Sequence, residues 1–184
     1  MGYIIWKCLL MPSGSTYTSS ILDSPPQFMN KIIFLDIDGV LVTNKPQKTS
    51  NGLCYEFDTN SVCALLGIIK RTNSKIVISS SHRVFSEMCI GEGYIHNLYN
   101  RLKENFLLDH LHTDWNTNDF SEMYKKTRED EILDWLVRNK PIDNFIILDD
   151  VDIFVSLKSR LVLTTMEKGI SDKNIIDAIN LLTS

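Results

Sequence analysis

Asp36 and Asp38 are separated by one isoleucine and followed at once by Gly39. Two carboxylates this close repel each other unless a cation lies between them. An oxygen-only ligand set of that kind suits magnesium. Reactive side chains gather at two other places. One is the acidic run Asp149-Asp150, with Asp152 behind it; the other is Ser79-Ser80-Ser81, followed by His82 and Arg83. Brought to one cleft, these groups would make a phosphate site. A divalent ion offsets the acidic charge, while hydroxyls and N–H groups hold phosphate oxygens. One aspartate can attack phosphorus as its neighbour handles protons.

Each cluster begins where a short apolar run stops. Ile32-Ile33-Phe34-Leu35 leads into Asp36, Lys75-Ile76-Val77-Ile78 into Ser79, and Phe145-Ile146-Ile147-Leu148 into Asp149. Runs this short and this rich in β-branched and aromatic types read as strands buried on both faces. Val62, Leu65, Leu66 and Ile69 recur at helical spacing and predict a helix over 61–72, capped by Thr59 or Asn60 and ended by Asn73-Ser74. Ile95, Leu98, Leu102 and Phe106 predict a helix over 94–106, with a weaker strand near 107–113 and a polar loop over 114–124. Thr127-x-x-Asp130 resembles a capping box opening a helix over 128–138 that buries Ile132, Trp135 and Leu136. A last strand at 161–164 precedes a helix over 172–182, capped by Ser171, with Ile175, Ile176, Ile179 and Leu182 inward. Strands alternating with helices predict an α/β fold with a parallel sheet and right-handed crossovers. In such a sheet the strand tips converge on one edge, and ligands bind there. Gly39 lets the chain turn away from that edge without a side chain crowding it.

A length of 184 residues with 43% hydrophobic and 23% charged residues fits one soluble domain with a sizeable core. Residues 1–30, with Pro12, Gly14 and Pro25-Pro26, read as a lead-in in which Tyr3–Trp6 is a candidate edge strand. The domain proper is expected over 31–184. The net charge of -4 argues against a broad nucleic-acid surface, though localised basic residues can still grip one phosphate. Cys8, Cys54, Cys63 and Cys89 form no C-x-x-C pair, which speaks against zinc and for reduced thiols. No apolar run reaches the roughly 20 residues of a membrane span. Residues 1–12 carry only Lys7 as a basic residue and no clean apolar core, so they do not read as a signal peptide. The expected location is cytoplasmic, with export into another cell left open. Cysteine-based phosphatase chemistry needs an arginine six positions after the cysteine, but positions 14, 60, 69 and 95 are Gly, Asn, Ile and Ile. A serine-hydrolase elbow, G-x-S-x-G, is absent around Ser81-His82.

From about residue 31 to 182 the chain resembles the haloacid dehalogenase (HAD) superfamily of phosphohydrolases. Asp36-Ile37-Asp38-Gly39-Val40 is similar to its first motif, D-x-D-G-[VT]. The resemblance implies a three-layer Rossmann-like fold with a central parallel sheet. Segments 43–58 and 84–124 are too short for a large lid, so little or no cap is expected. It also implies that Asp36 is a nucleophile forming an aspartyl-phosphate. Asp38 would be the general acid/base, with its carbonyl on a magnesium ion. The phosphate-binding second motif matches Ser79, with Ser80 close behind. The cation of the third motif matches Arg128, with Lys126 as rival and Lys125 behind it. The acidic fourth motif matches Asp149-Asp150; Asp150 is favoured as metal ligand and Asp149 as partner of the cation. Ile-Val-Ile-Ser-Ser-Ser-His-Arg is similar to the T-S-S-W-R of a small group that includes a domain of RNA-repair proteins and some bacterial effector phosphatases. His82 stands in place of the Trp, and His82 and Arg83 are placed at the cleft rim. The expected activity is a magnesium-dependent phosphomonoesterase acting on a phosphorylated substrate. An open cleft and the acidic charge favour a phosphoprotein, phosphotyrosine included. The alternatives are a nucleic-acid end or nucleotide phosphatase and a non-catalytic phosphate-binding module.

Overall fold

A computed structural model describes residues 30–44, 56–81, 95–117 and 126–184. The lead-in 1–29, most of the segment after the first motif, His82, Arg83 and Lys125 lie outside the described residues. Five strands form one all-parallel sheet: β1 (Lys31–Leu35), β2 (Lys75–Ile78), β3 (Leu111–Asn116), β4 (Asn144–Asp149) and β5 (Leu161–Leu163), in the order β3-β2-β1-β4-β5. The helices are α1 (Thr59–Thr72), α2 (Ile95–Glu104), α3 (Arg128–Arg138) and α4 (Asp172–Thr183). The chain therefore folds with the parallel α/β sheet its strand–helix alternation predicts, in the Rossmann-like architecture the resemblance implies.

β1 is buried along its whole length because helices cover both of its faces. Ile33 and Leu35 pack with Leu65 and Ile69 of α1, Leu102 of α2 and Leu182 of α4. Ile32 and Phe34 face the other way, onto Ile132 and Trp135 of α3. Trp135 meets the Phe34 ring edge-on at 5.3 Å, and its indole N–H donates to the Asp114 carbonyl (3.0 Å). Burial of this indole with its polar tip satisfied fixes α3 against the sheet. Crossovers from β1 to β3 run over the α1 face, while the return to β4 runs over the α3 face. That is the arrangement right-handed connections require when strand order reverses. The reversal falls between β1 and β4, the switch point at which open α/β sheets bind ligands.

Several local expectations shift. Asp58 caps α1, not Thr59 or Asn60: its carboxylate accepts from the Ser61 N–H (3.0 Å), and the helix begins two residues early. Leu66 on that helix is only half-buried, and Ile68 takes a core place. A 3-10 turn, Leu108–His110, stands where the weak strand was expected, and β3 starts after it, running into the segment read as loop. β3 is a polar edge strand whose register slips between Ile76 and Ile78, so no apolar alternation marks it. Phe106 is 77% exposed because α2 stops at Glu104 and Phe106 turns left-handed (φ 58°). Ile176 also points outward, and Ala178 takes the inward position. The caps Thr127 and Ser171 form as full capping boxes. Among the described residues no helix is long and apolar enough to cross a membrane.

Candidate active site

Register places three strand tips side by side. Phe34 lies opposite Val77 on one side and Ile147 on the other, and Leu35 opposite Ile78 and Leu148. One residue further, the Asp36 N–H donates to the Leu148 carbonyl (2.9 Å) and the Ser79 N–H to the Leu35 carbonyl (2.8 Å). Ser79, Asp36 and Asp149 thus form one row. Side chains two apart share a face, so all three follow Val77, Phe34 and Ile147 onto the α3 side.

The first residue of α3 closes this row. Arg128 Nη1 donates to Asp36 Oδ2 at 2.8 Å and to Asp149 Oδ2. The other oxygen of each carboxylate is held by the backbone: Asp36 Oδ1 accepts from the Ile37 N–H (2.8 Å) and Asp149 Oδ1 from the Val151 N–H (2.9 Å). A cation at a helix N-terminus opposes the helix dipole. Here it is offset by Glu129, Asp130 and Glu131 in the same turn and by the two strand-tip acids. The capping box fixes where the helix begins, with Thr127 Oγ1 accepting from the Asp130 N–H and the Asp130 carboxylate accepting from the Thr127 N–H (3.1 Å). The rival cation, Lys126, pairs with Asp134 at 2.7 Å.

Asp150 sits on the opposite side of the β4 tip from Asp149, over Gly39. The turn after Asp36 is closed by Leu41 and Val42 N–H groups donating to the Ile37 carbonyl (2.9 Å each) and by Gly39 N–H donating to Val42 (2.8 Å). Gly39 has φ +69°, and a Cβ there would overlap the Asp150 carboxylate. Oxygens of Asp36, Asp149 and Asp150 lie within 4.8 Å of one another. Asp38 stands outside that trio, partly exposed.

Electrostatics show what the trio lacks. Burial pushes the Asp149 carboxyl up, Arg128 pulls it down, the Asp36 charge raises it again, and the balance is upward. Burial likewise raises Asp150, with Asp36 and then Asp38 adding to it. Burial works to lower Arg128, but the Asp36 and Asp149 charges outweigh it and hold it above its usual value. One guanidinium thus faces three crowded acids, and an oxygen-only trio short of positive charge fits a hard divalent cation such as magnesium. Beside it, Ser79 and Ser80 are buried. Among the described residues the Ser79 hydroxyl has no hydrogen-bond partner, as expected of a group that meets a ligand oxygen.

Sequence reasoning missed two supports. Glu129 accepts from the N–H groups of Val155 (3.1 Å) and Leu157 (2.7 Å) and from Ser156 Oγ (2.9 Å), tying the loop after Asp150 to the turn that carries Arg128. Thr117, whose N–H donates to Ile78, extends the tip row beyond Ser79 and donates to Glu131 (3.4 Å), itself one turn along from Arg128. The i, i+3 spacing of Arg128 and Glu131 was the only sequence signal for the second. Asp152 faces Lys158 (2.8 Å), not the acidic trio.

The family model described as "HAD domain in Swiss Army Knife RNA repair proteins" matches residues 32–175. No curated protein and no solved structure matches the chain.

Proposed function

The chain belongs to the family of HAD domains found in Swiss Army Knife RNA repair proteins, and on that premise we propose that it is a magnesium-dependent phosphomonoesterase working through an aspartyl-phosphate. The observation that carries this reading is the shared ion pair of Arg128 with Asp36 and Asp149, in one row with the Ser79 hydroxyl. Asp36 attacks phosphorus and the bond to the leaving oxygen breaks. Asp38, two residues on and partly exposed, protonates that oxygen. It then takes a proton from the water that cleaves the aspartyl-phosphate and returns Asp36. The Ser79 hydroxyl and the nearby N–H groups, with Ser80 behind, hold the phosphoryl oxygens. Arg128 holds Asp36 in place. Asp36, Asp150 and the Asp38 carbonyl are the residues to hold magnesium, with Asp149 paired to Arg128 beside them. Bound there, the ion supplies charge neutralisation and a hold on one phosphate oxygen.

Two substrate readings rest on different observations. The net charge of -4 supports a phosphoprotein, phosphotyrosine included. The family's RNA-repair setting supports a phosphorylated nucleic-acid end. Assaying an aryl phosphate, phosphopeptides, nucleotides and 5′- or 3′-phosphorylated oligonucleotides with magnesium decides between them. Binding that weakens steeply with salt marks the polynucleotide. Asp36→Asn should drop turnover to background with the fold intact. Wild-type turnover in that variant removes Asp36 as nucleophile, and no turnover of any substrate by wild type leaves a phosphate-binding module.

A further inference from the structure

A second buried hydroxyl stands by the acidic trio, on the side away from Ser79. Thr164 follows β5, the edge strand beside β4, and is 2% exposed. Among the described residues its Oγ1 has no hydrogen-bond partner. Backbone groups around it are already satisfied by others. The Thr164 N–H donates to the Asp149 carbonyl (2.9 Å), the Asn174 amide donates to Leu163 (2.9 Å), and Thr165 accepts from Lys168 and Gly169. A buried hydroxyl retained without a partner costs stability, and in a native fold it points to a ligand or a function.

Its position says which. Asp149 lies opposite Leu163, so Thr164 stands level with Asp150. Val162 packs on the α1 face with Leu148, and the alternation of each strand carries Thr164 and Asp150 to that same face. Asp150 is the carboxylate seated over Gly39. The segment after Thr164 also leans on the turn after Asp36, through the Asn44 N–H donating to Met166 (2.7 Å). The two orphan hydroxyls therefore bracket the trio, Ser79 beside Asp36 and Thr164 beside Asp150.

We propose that Thr164 is a positioning residue of the metal site, its hydroxyl donating to the oxygen shell of the cation on the Asp150 side. This rests on the reading of Asp36 and Asp150 as magnesium ligands. Carboxylate ligands need an outer partner to fix their orientation, and loss of such a partner typically weakens metal binding by about 10- to 100-fold. Magnesium also keeps several waters, which need acceptors and donors around them.

The test is calorimetric titration of the full chain with magnesium chloride, alongside its melting temperature with and without the ion. Thr164→Val keeps the shape and removes the hydroxyl, and Thr164→Ala removes it where the valine is not accommodated. Either variant should bind magnesium about 10- to 100-fold more weakly. For Thr164→Val the metal-free melting temperature should be equal or higher, because an unsatisfied buried group is gone. Thr164→Ser should bind within about threefold of wild type. Equal affinity in wild type and Thr164→Val overturns this inference alone. No magnesium binding by wild type overturns it together with the metal-site reading. A hydroxyl with a merely structural role would lower the metal-free melting temperature and leave the affinity unchanged.

Discussion

Replacing Arg128 by methionine keeps the bulk of the side chain and deletes the one charge shared by two buried acids. Asp36 and Asp149 are 5% and 1% exposed, so their charges cannot be rehydrated in place. Breaking a buried pair by removing one partner costs about 3–5 kcal/mol. Two features move this case to the low end. Each carboxylate keeps one backbone N–H, and the arginine side chain is itself 22% exposed. Relief of an opposed helix dipole returns about 0.5 kcal/mol. The expected loss is about 2.5–3 kcal/mol near pH 7.5 without divalent ions. In a chain of this size that is roughly 5–12 °C in Tm. The pH dependence has a definite sign. Burial already holds Asp149 above its usual value, and Arg128 is the largest influence pulling it down. Without Arg128 the carboxyl rises further, so the folded variant binds more protons than the unfolded chain above the ordinary carboxylate range. Stability of the variant therefore falls as pH rises through that window and recovers as pH falls. Urea unfolding in chelator at pH 7.5 and 5.5 reads both quantities. A difference from wild type under about 0.5 kcal/mol at pH 7.5, or a gap that widens on acidification, refutes the argument.

Gly39→Ala should cost about 1–2 kcal/mol for its left-handed backbone alone, and should also push Asp150 aside, so magnesium no longer raises Tm; a retained metal shift in thermal scans would contradict the packing of Asp150 on Gly39. Glu129→Gln should lower Tm at neutral pH. Hydrogen bonds from Leu157 and then Val155 hold Glu129 below its ordinary 4.5, so its stabilisation is present above that value and lost as pH falls through the lower folded one; the gap between the proteins should close on acidification below the ordinary value. Chelator should silence phosphatase turnover and magnesium restore it, with full activity in chelator counting against the trio as a metal site. Trp135→Phe should cost about 1–3 kcal/mol, by leaving the Asp114 carbonyl without its buried donor; chemical unfolding measures it.

The strands that carry Asp36, Ser79 and Asp149 were plain in the sequence because each is a continuous apolar run ended by a polar residue. The capping boxes at Thr127 and Ser171 were equally plain, since their chemistry is local. β3 was misplaced because an edge strand carrying His112 and Asp114 has no apolar pattern to read. Ile176 and Phe106 satisfied helical spacing yet face solvent, since spacing cannot say where a helix stops or how wide its covered face is. That Arg128 reaches Asp36 across 92 residues while Lys126 turns to Asp134 is a long-range contact that no local spacing displays. Glu129 and Thr164 gave no signal at all, because their partners are backbone groups and strand neighbours distant in sequence.

Asp149 and Asp150 are adjacent in the chain yet serve opposite sides of the β4 tip, one under Arg128 and one over Gly39. Their division of labour is thus a matter of phase. Sliding β4 by a single residue against β1 would exchange the two, and would also turn Ile146 and Leu148 out of one core and into the other. Lengthening the connection over 139–143 leaves that phase untouched, whereas one residue inserted inside Asn144–Asp149 inverts it. The same alternation that packs the interior therefore also decides which acid meets the arginine and which lies over the glycine turn.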